Sequence, residues 1–429
     1  MKTDIGYYTV NGKIYTSKFD AVQAAKSTNA KIEWNFFDEV FSKVKWTEEP
    51  VLSLDELYRI RAQQIREKYD YVIVFCSGGA DSNNVIRTFI KNNIKVDEVM
   101  ALAPMSGLSN WQFNQSTLDE GNTISETKFA LFPLLDEIRN TAPDIKITVN
   151  DYFNDILKYN DEEWTYQACG NIVTVLTSHF TDVMKFPHID ALIQQGKRIA
   201  LVYGTDKPII RINQSGDMVL AFTDSGVNYL NMPDQRTNPS VDRVLFYWTP
   251  DLPELLVKQA HVVAKAITLP EFKHVKEYLK SRPATHLSST FADVIKAQEA
   301  QGRDPNSKEK IFRNFTPNSL SNTYRVMEFE GRSKYEREII PFIYPTTYSK
   351  TLFQCQKVDV DAGFFTRDQQ WVHKLHGNTR VSEMIMSGIK ALYSSIPEQY
   401  LNVNGTGFTY SFKAYKFGNI RDFEKILSN

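Results

Sequence analysis

The hydrophobic pattern of the chain switches repeatedly between a strand period and a helix period. Near the start, residues 7–10 and 13–16 are β-prone tetrapeptides on either side of Asn11-Gly12. Both turn residues tolerate positive φ, so the pattern predicts a hairpin. A short helix is expected over residues 18–27. A longer one is expected from Ser53, with Leu54, Leu57, Ile60 and Ile65 on one face and Ser53 with Glu56 as a capping box. Tyr71–Cys76 is then a short apolar run that ends abruptly in Ser77-Gly78-Gly79-Ala80-Asp81-Ser82, after which helical spacing resumes.

Alternation of this kind continues. Residues 97–104 read as a short buried strand. Residues 126–143 are helical in their second half, where Pro133 suits a first turn. Residues 145–151 read as a strand, 171–186 as a helix and 198–208 as a strand running into a Gly-containing loop. Strands alternating with helices predict an α/β fold with a doubly wound, mostly parallel sheet. A hairpin is expected around Ser215-Gly216. A helix over 250–267 keeps Leu255, Leu256, Gln259, Val262, Val263 and Ile267 in helical spacing. Residues 285–380 are irregular and polar, and 407–420 alternate as a late strand. Three units are expected: 1–54, a hairpin-plus-helix module; 55–270, the α/β domain; and 271–429, a mixed substrate or partner region.

Composition narrows the function classes. The 429 residues are 42% hydrophobic and 24% charged, enough for a large core without covalent staples. Lys+Arg number 50 and Asp+Glu 51, so net charge supplies no drive toward nucleic acid or an anionic membrane. Aromatics at 13% are assigned to core packing rather than to a base-stacking platform. Cys76, Cys169 and Cys355 are far apart and form no CxxC, which argues against zinc ribbons, iron–sulfur ligation and dithiol chemistry. Sparse cysteine suits a reducing compartment. The N-terminal residues lack a signal-peptide core, and no apolar run reaches the about 18 residues of a membrane span. The expected location is cytoplasmic, with no membrane partner.

The loop at 77–82 carries the clearest chemistry. Gly78 and Gly79 have no Cβ, so backbone can fold tightly and approach a ligand closely. Successive amides then form a nest for anionic oxygens, and the helix that follows adds the positive end of its dipole. Ser77 and Ser82 supply hydroxyls. An aspartate in a phosphate site makes sense if Asp81 holds Mg²⁺, which takes carboxylate, phosphate and water oxygens together. GxxxxGK[ST] and GxGxxG are both absent.

SGGxDS after an apolar strand resembles the PP-loop of the N-type ATP pyrophosphatases, over residues 70–95. The nearest shape is the synthetase domain of asparagine synthetase, and the N-terminal module is also similar to phage-encoded PP-loop proteins. The resemblance implies ATP and Mg²⁺ as cofactors, cleavage between the α and β phosphates, and an adenylated carboxylate or carbonyl passed to a nitrogen nucleophile. It implies that Ser77, Gly78, Gly79 and Ser82 grip the pyrophosphate, that Asp81 binds Mg²⁺, and that the backbone at Leu102 and Ala103 meets adenine. Asparagine synthetases begin with a catalytic cysteine; here position two is Lys2, so a separate ammonia source or an amine substrate is expected.

A second loop, Gly204-Thr205-Asp206-Lys207, should lie at the same sheet edge. Gly204 would border the nucleotide, Asp206 is a candidate second Mg²⁺ ligand, and Lys207 a candidate catalytic cation for the β or γ phosphate. Asparagine synthetases carry a Gly-rich acidic loop at the comparable place, from which GTDKP departs. His179 with Asp182, His373 with His376, and the group Arg332, Lys334, Arg337 and Arg380 are assigned to packing or a solvated face. Two alternatives stand beside the ligase. Sulfur-handling or tRNA-modifying PP-loop enzymes generally need a reactive cysteine or CxxC pair, whereas Cys169 and Cys355 stand alone and Cys76 sits in the buried strand. A non-catalytic nucleotide-binding protein would use residues 285–380 as a partner surface. The acceptor and the oligomeric state have no signature.

Overall fold

The computed structural model describes residues 5–103, 131–151, 186–205, 208–224, 227, 238–281, 338–344, 397–400 and 411–426. The first hairpin forms where the pattern places it: β1 (Tyr7–Val10) pairs antiparallel with β2 (Lys13–Tyr15). Asn11 and Gly12 take φ of 50° and 78°, the left-handed pair that a two-residue hairpin turn requires. Helix α1 (Lys18–Thr28) follows, capped by Ser17. β3 (Glu33–Asn35), which the pattern did not predict, closes a three-stranded sheet in the order β2-β1-β3, and a short α2 (Asp38–Phe41) comes next.

α3 (Leu54–Lys68) starts with the expected capping box, Ser53 and Glu56 each bonding the other's backbone amide. Its buried face differs from the predicted one. Leu54, Leu57 and Ile65 are buried with Tyr58, Arg61 and Ala62, whereas Ile60 lies at the margin. At about 100° per residue, positions 57, 58, 61 and 65 lie within about 60° of Leu54 around the helix, whereas position 60 lies about 120° away. Arg61 is 2% exposed, and its guanidinium donates to the Leu245 and Phe246 carbonyls and pairs with Asp251 at 3.0 Å.

The central sheet has five parallel strands in the order β10-β7-β4-β5-β6. They are β4 (Tyr71–Cys76), β5 (Glu98–Ala103), β6 (Lys146–Asp151), β7 (Ile199–Tyr203) and β10 (Val241–Leu245). α4 (Ala80–Lys91) joins β4 to β5, α5 (Phe132–Thr141) precedes β6, and α6 (Pro187–Gln194) precedes β7. The chain therefore steps outward from β4 on one side and returns on the other. That doubly wound order is compatible with Rossmann-like folds. β10 was not predicted, because two charges interrupt Val-Asp-Arg-Val-Leu. Asp242 is nevertheless buried there, accepting from the Tyr69 hydroxyl at 2.9 Å.

β8 (Ile209–Ile212), β9 (Asp217–Thr223) and the late strand β11 (Phe412–Asn419) form a separate antiparallel sheet, β11-β9-β8, with Gly216 at φ 84° in the predicted hairpin. α7 (Pro253–Thr268), α8 (Lys273–Ser281), α9 (Ile340–Ile343) and α10 (Ile420–Ile426) complete the described helices. In α7 the expected apolar positions are buried except Val262, which is half-buried. An aromatic core joins the N-terminal sheet to the antiparallel one. Phe41 stacks on Phe222 at 5.1 Å and Trp46 on Tyr415 at 4.9 Å, with Phe36 and Trp248 beside them. The predicted helix at 171–186 and the irregular region at 285–380 lie outside the described residues, except 338–344 and the last residue of the former, Phe186. No helix among the described residues is long and apolar enough to cross a membrane.

Candidate functional site

Loop 77–79 follows the last residue of β4, the central strand. It lies at the carboxyl end of the sheet, where the strand order reverses between β4 and β7. Ligands of open α/β sheets bind at such a switch point. The β4–β7 ladder stops just before the loop, while the Phe75 and Tyr203 rings still stack at 4.6 Å beyond its last pair. β4 and β7 pair only from Tyr71/Ile199 to Val74/Val202, two residues short of the end of β4. β7 instead stays with β10 through Tyr203/Leu245, and the Phe246 amide adds a bond to the Tyr203 carbonyl at 2.9 Å.

The turn is made by Gly78 at φ 86°, a conformation that side chains resist. Gly79 is the N-cap of α4 and has no side chain with which to cap it. Inside the loop both serine hydroxyls bond its backbone. The Ser77 amide donates to Ser82 Oγ at 3.3 Å, the Gly79 amide donates to Ser77 Oγ at 3.2 Å, and Ser82 Oγ donates to the Gly79 carbonyl at 3.3 Å. These are long bonds for their type. Ser77 is exposed and Ser82 buried, so Ser77 faces outward while Ser82 holds the loop from within.

Gly204 sits just beyond β7 and against the same turn. A Cβ there would lie 3.0 Å from the Asp81 carbonyl carbon and 3.0 Å from the Ser82 nitrogen. Its lack of a side chain thus has a packing reason: it lets the end of β7 close on the first turn of α4. Leu102 and Ala103 extend past Ala101, the last β5 residue paired with β4, while bonding β6 on their other side. Their backbone therefore reaches the loop edge of the sheet. Asp206, Lys207, His179, Asp182, His373, His376, Arg332, Lys334, Arg337, Arg380, Cys169 and Cys355 lie outside the described residues.

Beneath the loop is a buried phenol cluster that sequence reasoning missed. Tyr247, just past β10, donates its hydroxyl to the Asp81 main-chain carbonyl at 2.9 Å and accepts from Asn84 Nδ2 at 2.9 Å. The three rings form a triangle: Tyr344 lies 5.3 Å and Tyr58 6.0 Å from Tyr247, and 6.3 Å from each other. Tyr58 donates to the Ile343 carbonyl at 2.6 Å and accepts from Gln259 at 3.0 Å. Burial pushes all three phenols up, and the negative charge of Asp81 adds to this, so they remain hydroxyl donors. Asp81 itself is half-buried, its Oδ1 enclosed and its carboxylate close to Tyr344. The run Asn83-Asn84 was the available signal: both are buried, in a helix that also buries Val85, Ile86 and Phe89.

Two cavities, of about 490 and 810 Å³, lie along β10 and α3 and beside β3 and the start of β11; no residue of 77–82 lines either. Cys76 is a buried thiol, 4.0 Å from Ser82 Oγ. Among the described residues no group of three His, Cys, Asp or Glu could hold a metal by itself. A Mg²⁺ bound through one or two carboxylates and nucleotide oxygens does not require one. Comparison of the chain with protein-family models, with curated proteins and with solved structures returned no match.

Proposed function

We propose that the chain binds ATP at the loop 77–82 and acts as an AMP- and pyrophosphate-forming ligase that activates a carboxylate or carbonyl for a nitrogen nucleophile. One observation carries the reading: the SGGADS loop lies at the carboxyl end of the central strand, where the strand order reverses between β4 and β7, with Gly78 at φ 86° and Gly79 as the N-cap of α4. In this reading the loop amides and Ser77 hold the diphosphate, exchanging their long serine bonds for charge-assisted ones. Leu102 and Ala103 offer backbone to the base. Asp81 and Asp206 hold Mg²⁺, which would neutralise phosphate charge, and Lys207 adds a cation at the same edge. Nitrogen reaches the activated group from an amine substrate or a separate ammonia source. A cysteine-dependent sulfur chemistry draws no support from Cys76, which is 2% exposed.

The test is phosphate release. ATP with Mg²⁺ and a panel of carboxylate acceptors and amines should yield pyrophosphate and AMP. Asp81→Ala should lower that release on the order of 100-fold or more, because it removes a ligand of the Mg²⁺ that would neutralise the phosphate charge. Orthophosphate as the product would refute α–β cleavage. ATP binding without turnover is the outcome of a second reading, a nucleotide-binding protein that does no chemistry. One observation favours it: Asp81 is turned toward the buried phenols, with Oδ1 enclosed.

A further inference from the structure

The buried phenols raise a question that core packing does not answer. Phenylalanine would fill the same space without burying hydroxyls that need partners. Tyr247 is 0% exposed and Asn84 is 0% exposed, yet the sequence places a hydroxyl and an amide there. Their bonds converge on one residue. Asn84 Nδ2 donates to the Tyr247 hydroxyl, which donates in turn to the main-chain carbonyl of Asp81. Tyr247 is itself anchored, because its neighbour Phe246 bonds the end of β7 and its ring packs against both Tyr58 and Tyr344. From the other side Gly204 meets the backbone of Asp81 and Ser82.

We infer that Tyr247 is a positioning residue for the loop: held by Asn84, its hydroxyl fixes residue 81 through the main chain, so that the Asp81 carboxylate meets a nucleotide-bound cation from a set direction. The inference rests on the nucleotide reading above. Partners of this kind, one shell removed from a metal ligand, tune affinity by orienting the ligand. Tyr58 is the internal comparison. It belongs to the same cluster and buries the same kind of hydroxyl, but bonds Ile343 and Gln259 rather than residue 81.

The experiment measures ATP affinity by calorimetry, with Mg²⁺ and with EDTA, and takes the ratio as the gain due to the metal. Tyr247→Phe is expected to cut that gain by about 10-fold, and Tyr58→Phe to leave it within about twofold. The effect of Tyr247→Phe should vanish when Asp81→Asn is already present, since it acts through that residue. An equal effect of Tyr247→Phe with and without Asp81→Asn, or an equal effect of Tyr58→Phe, would reduce Tyr247 to a packing role and overturn the inference. If Tyr247→Phe alone does not fold, Tyr247→Phe with Asn84→Leu removes both polar partners together and is read in the same way. Wild-type protein that binds no ATP under either condition would instead overturn the nucleotide reading, and this inference with it.

Discussion

A single hydrogen in place of a methyl group at Gly204 decides how closely two strand ends approach. The Cβ of an alanine there would meet main-chain atoms of Asp81 and Ser82 at 3.0 Å. These atoms belong to the first turn of α4 and cannot rotate aside as a side chain would. Gly204→Ala is therefore expected to cost about 1–3 kcal/mol of stability, the usual range for overpacking, and to weaken ATP binding at the adjoining loop. Urea unfolding checks the first effect and calorimetry the second; an unchanged unfolding midpoint would mean that the turn yields freely. The glycine was legible as a loop residue at the ligand edge, but its packing role was not. Nothing in Tyr203-Gly204-Thr205 says that α4, more than 100 positions earlier, is its neighbour.

At the scale of one element, α3 separates what local chemistry specifies from what it does not. Its start is written locally: the Ser53 amide donates to Glu56 Oε2 at 2.8 Å and the Glu56 amide donates to Ser53 Oγ at 3.3 Å. Ser53→Ala should lower stability by about 1 kcal/mol without touching the core, measurable as a small shift in the denaturation midpoint. The buried face of α3 was only partly legible. A reading that seeks apolar residues selects Ile60, whereas the fold buries Arg61, because the Leu245 and Phe246 carbonyls and Asp251 satisfy its guanidinium. A buried arginine is tolerable only where such partners wait, and these partners follow β10, a strand the sequence pattern did not reveal.

Across the whole molecule, contacts from distant parts of the chain hold the sheets together. β11 pairs with β9 along its length. Lys18 of α1 forms a buried ion pair with Asp224, which also accepts from the Tyr8 hydroxyl at 3.0 Å and the Ser411 amide at 2.9 Å. His261 of α7 joins the region before α3 to the last helix: its Nε2 contacts the Trp46 carbonyl at 2.9 Å, and its ring packs against Phe417 and Phe423. A carbonyl partner requires Nε2 to carry a proton. Burial holds the His261 pKa below its ordinary 6.5, an effect larger than the opposing hydrogen bond. Above pH 6.5 the ring is neutral in both folded and unfolded chains and contributes no slope. Below it the unfolded chain takes up the proton first, so stability falls as pH drops toward the folded pKa. His261→Gln is expected to flatten that decline. Urea midpoints measured between about pH 7.5 and 5.5 test it, and an identical slope in both proteins would remove His261 as the cause.

The sequence by itself determined the elements whose causes are local. The Asn11-Gly12 turn, the Ser53 cap, the apolar run into Ser77-Gly78-Gly79 and the alternation that makes a doubly wound sheet all depend on residues a few positions apart, where φ preferences and period act directly. Only the tertiary structure decided what surrounds the loop. The placing of β7 beside β4, the seat of Gly204, the inward turn of Asp81 and the phenols beneath it each join residues far apart in the chain. Burial and hydrogen bonding across such separations depend on which surfaces meet, and neither period nor propensity carries that information.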